Sequence, residues 1–572
     1  MKWKKIKFAT VIAVLLAMVA ATACTNGGNE AASSSPGSSQ DTASPSASKA
    51  PAMAEGPYGK YDPPITLTTV KGDTPGVERL PDQTLEDNVW TREYLSELGI
   101  SLKYNWIVNT AQYPNKVMVT IVSGDLPDFF EVNAQQFQTL AQAGQLADLS
   151  DVLDKYGTDL VKTNFDEAMR RNGTVEGKLL GFPRDGQSRD DANMLYIRKD
   201  WLDKLGLQPP KTMDELMNVA IAFATKDPDG NNKQDTYGLA LSKDLFDGFA
   251  TIAGFLNGYG AYAYNPANGS GTNLMFQKDA SGKLVYGDIQ PEVKTALGKL
   301  QELFVAGAIH PEFSVQDGGK VGELMTSGKV GMLYGAFWVP TWPIQNMKQT
   351  DPTVDWRVYE APAADGSPSV VQSTSTPTRY LVVSKNAKHP EALIKIINYT
   401  TEKLAGTEKN VEKYHTVVKG DKNYSLHTLA PAYFGTADTN QNYFYQVEDA
   451  LKKNDPSAMD DEAKMYYEQV KKFEGGDYSQ FSGYALWGPG GVFDTLGKYK
   501  KNDRIKTSVY TGAPTPTMLS RGPSLRDLEV KTFIEIIMGA KPLDAFDEFA
   551  DQWLKQGGQD ILDEVNASGQ VQ

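Results

Sequence analysis

The run Asp227-Pro228-Asp229-Gly230-Asn231-Asn232-Lys233-Gln234-Asp235 places side-chain oxygens at its first, third, fifth and ninth positions. Turn formers fill the gaps, and the seventh position, Lys233, can offer its backbone carbonyl. This is the ligand rhythm of a calcium loop, and hard oxygen donors suit a hard divalent ion. Two departures separate it from an EF-hand. Gly230 stands at the fourth position rather than the sixth, and Gly238 occupies the place of the bidentate glutamate. A polar turn between a helix ending near Ala224 and a strand over residues 237–241 would use the same residues without metal. The expectation is a structural calcium ion held by Asp227, Asp229, Asn231, Lys233 (carbonyl) and Asp235.

Aromatic residues form the second group. Residues 331–342 read as a short strand that ends in a glycine turn and leads into a helix. Tyr334, Phe337, Trp338 and Trp342 would then project at the C-terminal edge of a sheet, where open α/β folds hold their ligands. Tyr484 and Trp487 sit in a second Gly/Pro-containing tract. Sugar rings stack their flat C–H faces on such side chains while nearby polar groups bond the hydroxyls. Core packing would use the same residue types, and Trp90 and Trp106, on periodic elements, are expected there.

Arginines form the third group. Arg184 and Arg189 crowd a loop with Asp185, Asp190 and Asp191, between residues 181–183 and a strand over 194–197; Arg379 precedes another strand. A solvated loop would look the same. For a ligand that carries carboxylates, the three arginines are bidentate partners. Enzyme motifs are missing: no His-Glu-x-x-His, no Gly-x-Ser-x-Gly elbow and no phosphate-binding Gly-x-x-x-x-Gly-Lys run occurs, and His310, His389, His415 and His427 are scattered. Gly258-Tyr259-Gly260 fits a loose dinucleotide fingerprint, but no strand leads into it. A glycosidase carboxylate pair could hide among 71 acidic residues, so a secreted polysaccharide lyase or hydrolase stays as the rival reading.

These groups must be held by mixed secondary structure. Ile100, Leu102, Tyr104, Trp106 and Val108 alternate with mostly polar residues, as a half-buried strand does. A helix is expected before it, with Thr84 as N-cap and Gly99 as the stop. A second helix opens at Thr212-Met213-Asp214-Glu215, a capping box, and a third at Pro390 after a strand over 380–384. Strands alternating with helices argue for α/β sheets. Residues 257–287 and 475–489 read as irregular.

The N-terminus speaks of location. Lys2, Lys4, Lys5 and Lys7 precede a small-and-apolar run from Phe8 to Ala23, which ends at Cys24, the one cysteine of the 572 residues. A positive start, a short apolar run and small residues before a cut describe a signal peptide. It is too short for a transmembrane helix, which needs about 20 apolar residues. Ala21-Thr22-Ala23-Cys24 resembles a lipobox, which makes Cys24 the expected lipidation (palmitate) site; a plain secretory signal with an incidental cysteine is the other reading. Residues 25–56 hold no aromatic residue and are rich in Ser, Ala, Pro and Gly, the composition of a coil whose ends lie on the order of 30 Å apart. With a single cysteine there is no disulfide framework. The formal charge of −14 becomes −18 once the four signal lysines are gone (−14 − 4). Such a surface repels nucleic acid and anionic lipid and favours a monomer. The length implies two or more lobes.

Several segments in order carry a family resemblance. Gly177-Lys-Leu-Leu-Gly-Phe-Pro183 is followed by the run from Leu195 to Leu207, which contains Tyr196-Ile-Arg-Lys-Asp200-Trp, and then by Pro209-Pro-Lys-Thr-Met-Asp-Glu-Leu216. Ser327-Gly-Lys-Val-Gly-Met332 and Tyr380-Leu-Val-Val-Ser-Lys-Asn-Ala-Lys-His-Pro-Glu391 complete the set. Together they resemble family 1 extracellular solute-binding proteins of ABC importers, in particular the large Gram-positive lipoproteins related to alginate-oligosaccharide binders. The resemblance implies a two-lobed periplasmic-binding-protein-like α/β fold (type II) with a cleft between discontinuous lobes. Residues 1–23 would be the signal and 24–56 the lipid-anchored tether. Residues 57–185 with 376–482 would form one lobe, and 186–375 with 483–572 the other. Crossings would fall near 183–193, 371–379 and 483–491. It also implies an oligosaccharide ligand, including uronate-containing ones, delivered to permease subunits at the outer face of the cytoplasmic membrane without being altered. A peptide or other solute is the alternative within the same fold. The related alginate binders carry a similar calcium loop, with a further carboxylate where Thr236 stands here.

Overall fold

The computed structural model describes residues 55–571, apart from 75–78, 185–188, 265–273, 374–378, 420–421, 436–437, 511 and 513. The signal run, Cys24 and almost all of the tether lie outside these residues, as does Asp185. Among the described residues no helix is long and apolar enough to cross a membrane.

Two sheets organise the chain. The first has three strands, Phe129–Asn133, Arg379–Val383 and Gly181–Pro183, with the middle one antiparallel to both neighbours. Its side chains alternate between two buried faces. Phe129, Phe182, Leu381 and Val383 enter one apolar cluster, built on helix Pro390–Ala405; Phe130, Val132, Tyr380 and Val382 enter another. A sheet covered on both faces is the α/β arrangement expected from the alternating elements. Phe137 stacks on Tyr380 with ring centroids 4.3 Å apart. A Cβ on Gly181 would press on Phe137 and Val382, so glycine lets the edge strand pack close. Beside this sheet lies the parallel pair Ile65–Asp73 and Ile100–Asn109. Thr68 pins it, donating from N–H and Oγ1 to Asp128 Oδ2 at 2.7 and 2.7 Å.

The second sheet has the order Trp356–Tyr359, Met194–Arg198, Val330–Gly335, Tyr237–Leu239. Every residue of Met194–Arg198 and of Val330–Gly335 is buried, as continuous apolar strands at the centre of a sheet should be. Its core draws in residues from Ala192 to Val371 and from Tyr443 to Val565. Apart from the cluster members Val70 to Leu180 and Tyr380 to Val382 on the other face, the smaller core holds Tyr61 to Phe182 and Leu381 to Phe434.

The chain therefore passes between cores three times: between Phe182 and Ala192, between Val371 and Tyr380, and between Phe434 and Tyr443. The third passage is not at 483–491, the place expected from the sequence. Helices Thr439–Lys453 and Asp461–Glu474, grouped above with the first lobe, bury Tyr443, Phe444, Val447, Tyr467 and Val470 in the larger core.

Side-chain bonds tie the three passages together. Asp191 accepts from Ser373 Oγ, joining the first to the second. Asp190 Oδ2 accepts from Asn440 Nδ2 at 3.0 Å, joining the first to the third. Asp190 Oδ1 accepts from Lys500 Nζ at 2.8 Å, and Lys500 also reaches Asp438 at 2.9 Å. Asp190 and Asp191 are thus anchors, not the solvated charges that their loop setting suggests.

Several local expectations shift by a turn. Asn88, not Thr84, caps the first helix, through a capping box with Thr91; Thr84 instead accepts from Asp87 N–H. Gly99 does stop it in the left-handed conformation, at φ 67°. Thr212 caps Met213–Thr225, but Glu215 reaches back to Lys211 N–H rather than to the cap. The tract 475–489 is not irregular: helix Phe481–Trp487 lies within it.

Candidate functional site

Strand ends of the smaller core converge on a cavity of about 420 Å³. Lys71 and Gly72 come from the end of Ile65–Asp73, just past a register shift between Thr69 and Val70. Arg184 follows the edge strand into the first passage, and Arg379 opens the middle strand after the second. The two are cross-strand neighbours, since Arg184 N–H donates to the Arg379 carbonyl at 2.9 Å. Glu131, on the third strand, faces both: Arg379 Nη1 donates to Oε1 at 3.3 Å, and Arg184 Nε stands 3.6 Å from Oε2. Tyr104, Tyr113, Tyr433 and His427 complete much of the wall. The His427 ring stacks on His415 with centroids 4.2 Å apart.

Electrostatics single this cavity out in a chain of formal charge −14. Burial lowers the Lys71 ammonium to about 8; Glu131 opposes this, while Arg184, Arg79 and Arg379 add to it. Burial likewise lowers Arg184, with Glu131 again opposing. Lys71 Nζ donates to the Thr428 carbonyl at 3.2 Å. Cation crowding of this kind recurs at functional sites.

The sequence-predicted residues divide clearly. Arg184 and Arg379 meet in the cavity, whereas Arg189 is exposed and outside its lining. Tyr334 and Trp487 are core residues and cannot serve as platforms. Tyr334 is fully buried, and Trp487 is sandwiched between Tyr466 and Phe493 with centroids 4.1 and 4.4 Å away. Trp342 is 39% exposed and lies against Phe249 and over Gly322. Trp338 and Phe337 are half-buried, and Tyr484 stacks on Phe473 at the rim of a separate cavity of about 250 Å³ in the larger core. The two cavities share no lining residue. Lys71 is the cavity cation that the sequence does not single out; it stands before glycine near the end of Ile65–Asp73, a strand that mixes threonines with apolar residues.

The acidic loop forms a network of its own. Asp227 accepts from the N–H groups of Gly230, Asn231 and Asn232 at 3.0 Å each. Burial works against its charge, but these donors hold the carboxyl below the usual range. Asn231 Nδ2 bridges Asp229 and Asp235 at 2.8 and 3.0 Å. Lys329 Nζ bridges the same pair at 3.2 and 2.7 Å, and this bond lowers Asp235. In this arrangement no three carboxylate or imidazole groups of the described residues close on one point. The donor set, all oxygen, still fits a divalent cation if Asn231 turns its Oδ1 inward and Lys329 withdraws. Two neighbours are committed elsewhere. Thr236 Oγ1 donates to the Phe223 carbonyl at 2.7 Å. Gly238 sits where any Cβ would strike the Ala220 backbone, so packing forbids the bidentate glutamate.

Against known proteins, residues 81–403, more than half of the chain, match the family of bacterial extracellular solute-binding proteins. The chain belongs to this family. Among curated relatives, the polygalacturonan/rhamnogalacturonan-binding protein YtcQ of Bacillus subtilis is 29% identical over 41% of this chain and 44% of its own length. Lipoprotein LipO of Bacillus subtilis is 23% identical over 82% of this chain and 86% of its own. The Streptococcus pneumoniae substrate-binding protein FusA, solved with kestose, superposes with a TM-score of 0.57 at 17% identity, covering 88% of this chain and 98% of that one. The fold is the two-lobed one of these binders, and the family's business is holding solutes, which sets aside the lyase or hydrolase reading.

Proposed function

We propose that this extracellular solute-binding protein is a lipid-anchored, monomeric receptor that captures an oligosaccharide and hands it to the permease subunits of an ABC importer. Cys24 would carry the lipid, and residues 25–56 would hold the body off the outer face of the cytoplasmic membrane. The observation that carries the reading is the cavity at the two passages, walled by tyrosines and charged donors where the cores meet in sequence. A ligand touching both cores would bind one hinge state better and shift the equilibrium toward it. Trp338, Trp342, Phe337 and Tyr484 are the platforms that the larger core can offer. A micromolar dissociation constant needs about 8 kcal/mol net, within reach of a few stacked rings and a ring of hydrogen bonds. Titrating neutral and acidic oligosaccharides while following tryptophan fluorescence and small-angle scattering should find a binder that compacts the protein. Failure of every oligosaccharide, with a peptide binding in their place, would end the sugar reading.

Calcium is part of the same proposal. Asp227, Asp229, Asn231, Asp235 and the Lys233 carbonyl would hold it, and the ion would brace the turn between helix Met213–Thr225 and strand Tyr237–Leu239. Adding calcium to chelator-treated protein should raise the melting temperature by several degrees, with about 3 kcal/mol expected at a hundredfold excess over the dissociation constant. Lys329→Met should enlarge the shift by removing the competing ammonium. No shift in either protein would remove calcium from the account.

A further inference from the structure

We propose that the smaller-core cavity is a carboxylate subsite for an acidic sugar residue, in which Lys71 and Arg184 hold the anion and Glu131 orients the guanidinium groups around it. The proposal rests on the oligosaccharide reading and deepens it by naming the charge of the ligand.

Three observations carry it. First, two guanidinium groups and an ammonium meet the single carboxylate of Glu131 in the cavity lining. Second, Arg184 Nε is buried and makes no hydrogen bond, because Glu131 at 3.6 Å is too far for one. A buried donor left in this state is costly, and a carboxylate arriving beside it would meet a ready-made fork. Third, Lys71 stands partly buried in the cavity wall with Arg184 and Arg379, its Nζ donating to the Thr428 carbonyl at 3.2 Å. The surrounding groups suit a sugar. Tyr104, Tyr113 and Tyr433 offer ring faces, and Thr69, Thr74 and Thr110 offer hydroxyls. Glu131 itself disfavours a dianion such as phosphate, which would sit against a fixed negative charge.

Occupancy has a proton signature. Groups facing Lys71 are Glu131, Arg184, Arg79 and Arg379, with His427 and the three tyrosines in the same wall. A carboxylate bound next to Lys71 raises its pKa from about 8, so the complex holds more protons than the free protein just above that pH. Binding near pH 8.5 should therefore take up a fraction of a proton.

Calorimetry on the full chain tests this with trimers of galacturonate and mannuronate, fully methyl-esterified trigalacturonate, maltotriose and inorganic phosphate, each in buffers of differing ionisation enthalpy. The expected result is that a uronate trimer binds, that esterification weakens it about tenfold or more, and that proton uptake is seen at pH 8.5. Lys71→Met should abolish the uptake and weaken the uronate about tenfold without lowering the melting temperature. Arg184→Lys, which keeps the charge and loses the fork, should fall between. Equal binding of acid and ester, binding of maltotriose alone, phosphate in preference to uronate, or unchanged uronate binding by Lys71→Met would each overturn the subsite. Maltotriose binding alone would leave the sugar receptor standing; binding of none of these sugars would bring down both.

Discussion

Asp190→Ala is expected to loosen the junction between the two cores more than any other single change to a side chain there. Its carboxylate accepts from Asn440 and Lys500, and the neighbouring Asp191 accepts from Ser373. Each of the three chain passages therefore ends on this short acidic segment. Asp190 is 3% exposed, and its partner Lys500 has a side chain 13% exposed. Taking away one member of a buried ion pair costs about 3–5 kcal/mol, because the other charge stays behind. Lys500 keeps Asp438 at 2.9 Å, which places the expectation near the lower end, about 3 kcal/mol. Chemical denaturation measures it, and scattering of the unliganded variant should broaden as hinge states equalise. Lys500→Met in the Asp190→Ala background should cost little more, since the pair acts as a unit. A variant within about 0.5 kcal/mol of the parent would show that the junction is held by packing alone.

Asp288→Asn is expected to stabilise the protein, and increasingly so as the pH rises. Asp288 lies at 0% exposure in the larger core, beside Glu529 of helix Pro516–Ile537, which is buried to the same degree. Burial pushes the Asp288 carboxyl far above its ordinary range, and the Glu529 carboxylate pushes the same way; Tyr264 N–H and Tyr286 work against them. Tyr286 OH donates to Glu529 Oε2 at 2.8 Å and Tyr264 N–H to Asp288 Oδ1 at 3.1 Å, so the pair is wired into its surroundings. The folded pair keeps a proton that the unfolded chain releases above about pH 4. The native state thus binds more protons, and stability is full below that pH and falls as pH rises toward the raised value. Each pH unit in that window costs roughly 1 kcal/mol. Asparagine keeps the acceptor for Tyr264 and supplies a fixed donor toward Glu529. Melting temperatures from pH 5 to pH 8.5 should fall less steeply in the variant, with the curves parting most at the alkaline end. Parallel curves would mean that the pair carries no extra proton.

The sequence exposes what is local and hides what depends on distant partners. Arg184 and Arg379 could be picked out because each flanks an apolar strand, and the ends of such strands are where sheets present their ligands. Lys71 has the same setting. It escapes because three threonines among the first five residues break up the apolar residues of 65–73. The acidic loop was legible as a spacing. Its cross-link to Lys329, 94 residues from Asp235, was not. Trp487 and Tyr484 look like loop residues because Gly483, Gly488 and Pro489 surround them. A helix of seven residues has no stability of its own; stacking on Tyr466, Phe473 and Phe493 makes it. Asp190 follows the same rule. Its burial is set by Asn440 and Lys500, 250 and 310 residues away, and nothing in a run of alternating charges announces them. The third passage was misplaced for a related reason: two amphipathic helices carry no mark of which core will take their apolar faces.

A positive hollow inside a negative envelope also fixes the direction of a kinetic effect. At low ionic strength a polyanionic glycan would be held off by the formal −14 long before it could feel Lys71 and Arg184. Near 0.1 M salt the Debye length shrinks to about 10 Å, so the far-reaching repulsion fades while the close attraction survives. Encounter should therefore quicken as salt is first added, the reverse of an ordinary oppositely charged pair, and slow only once the ions begin to crowd the hollow itself.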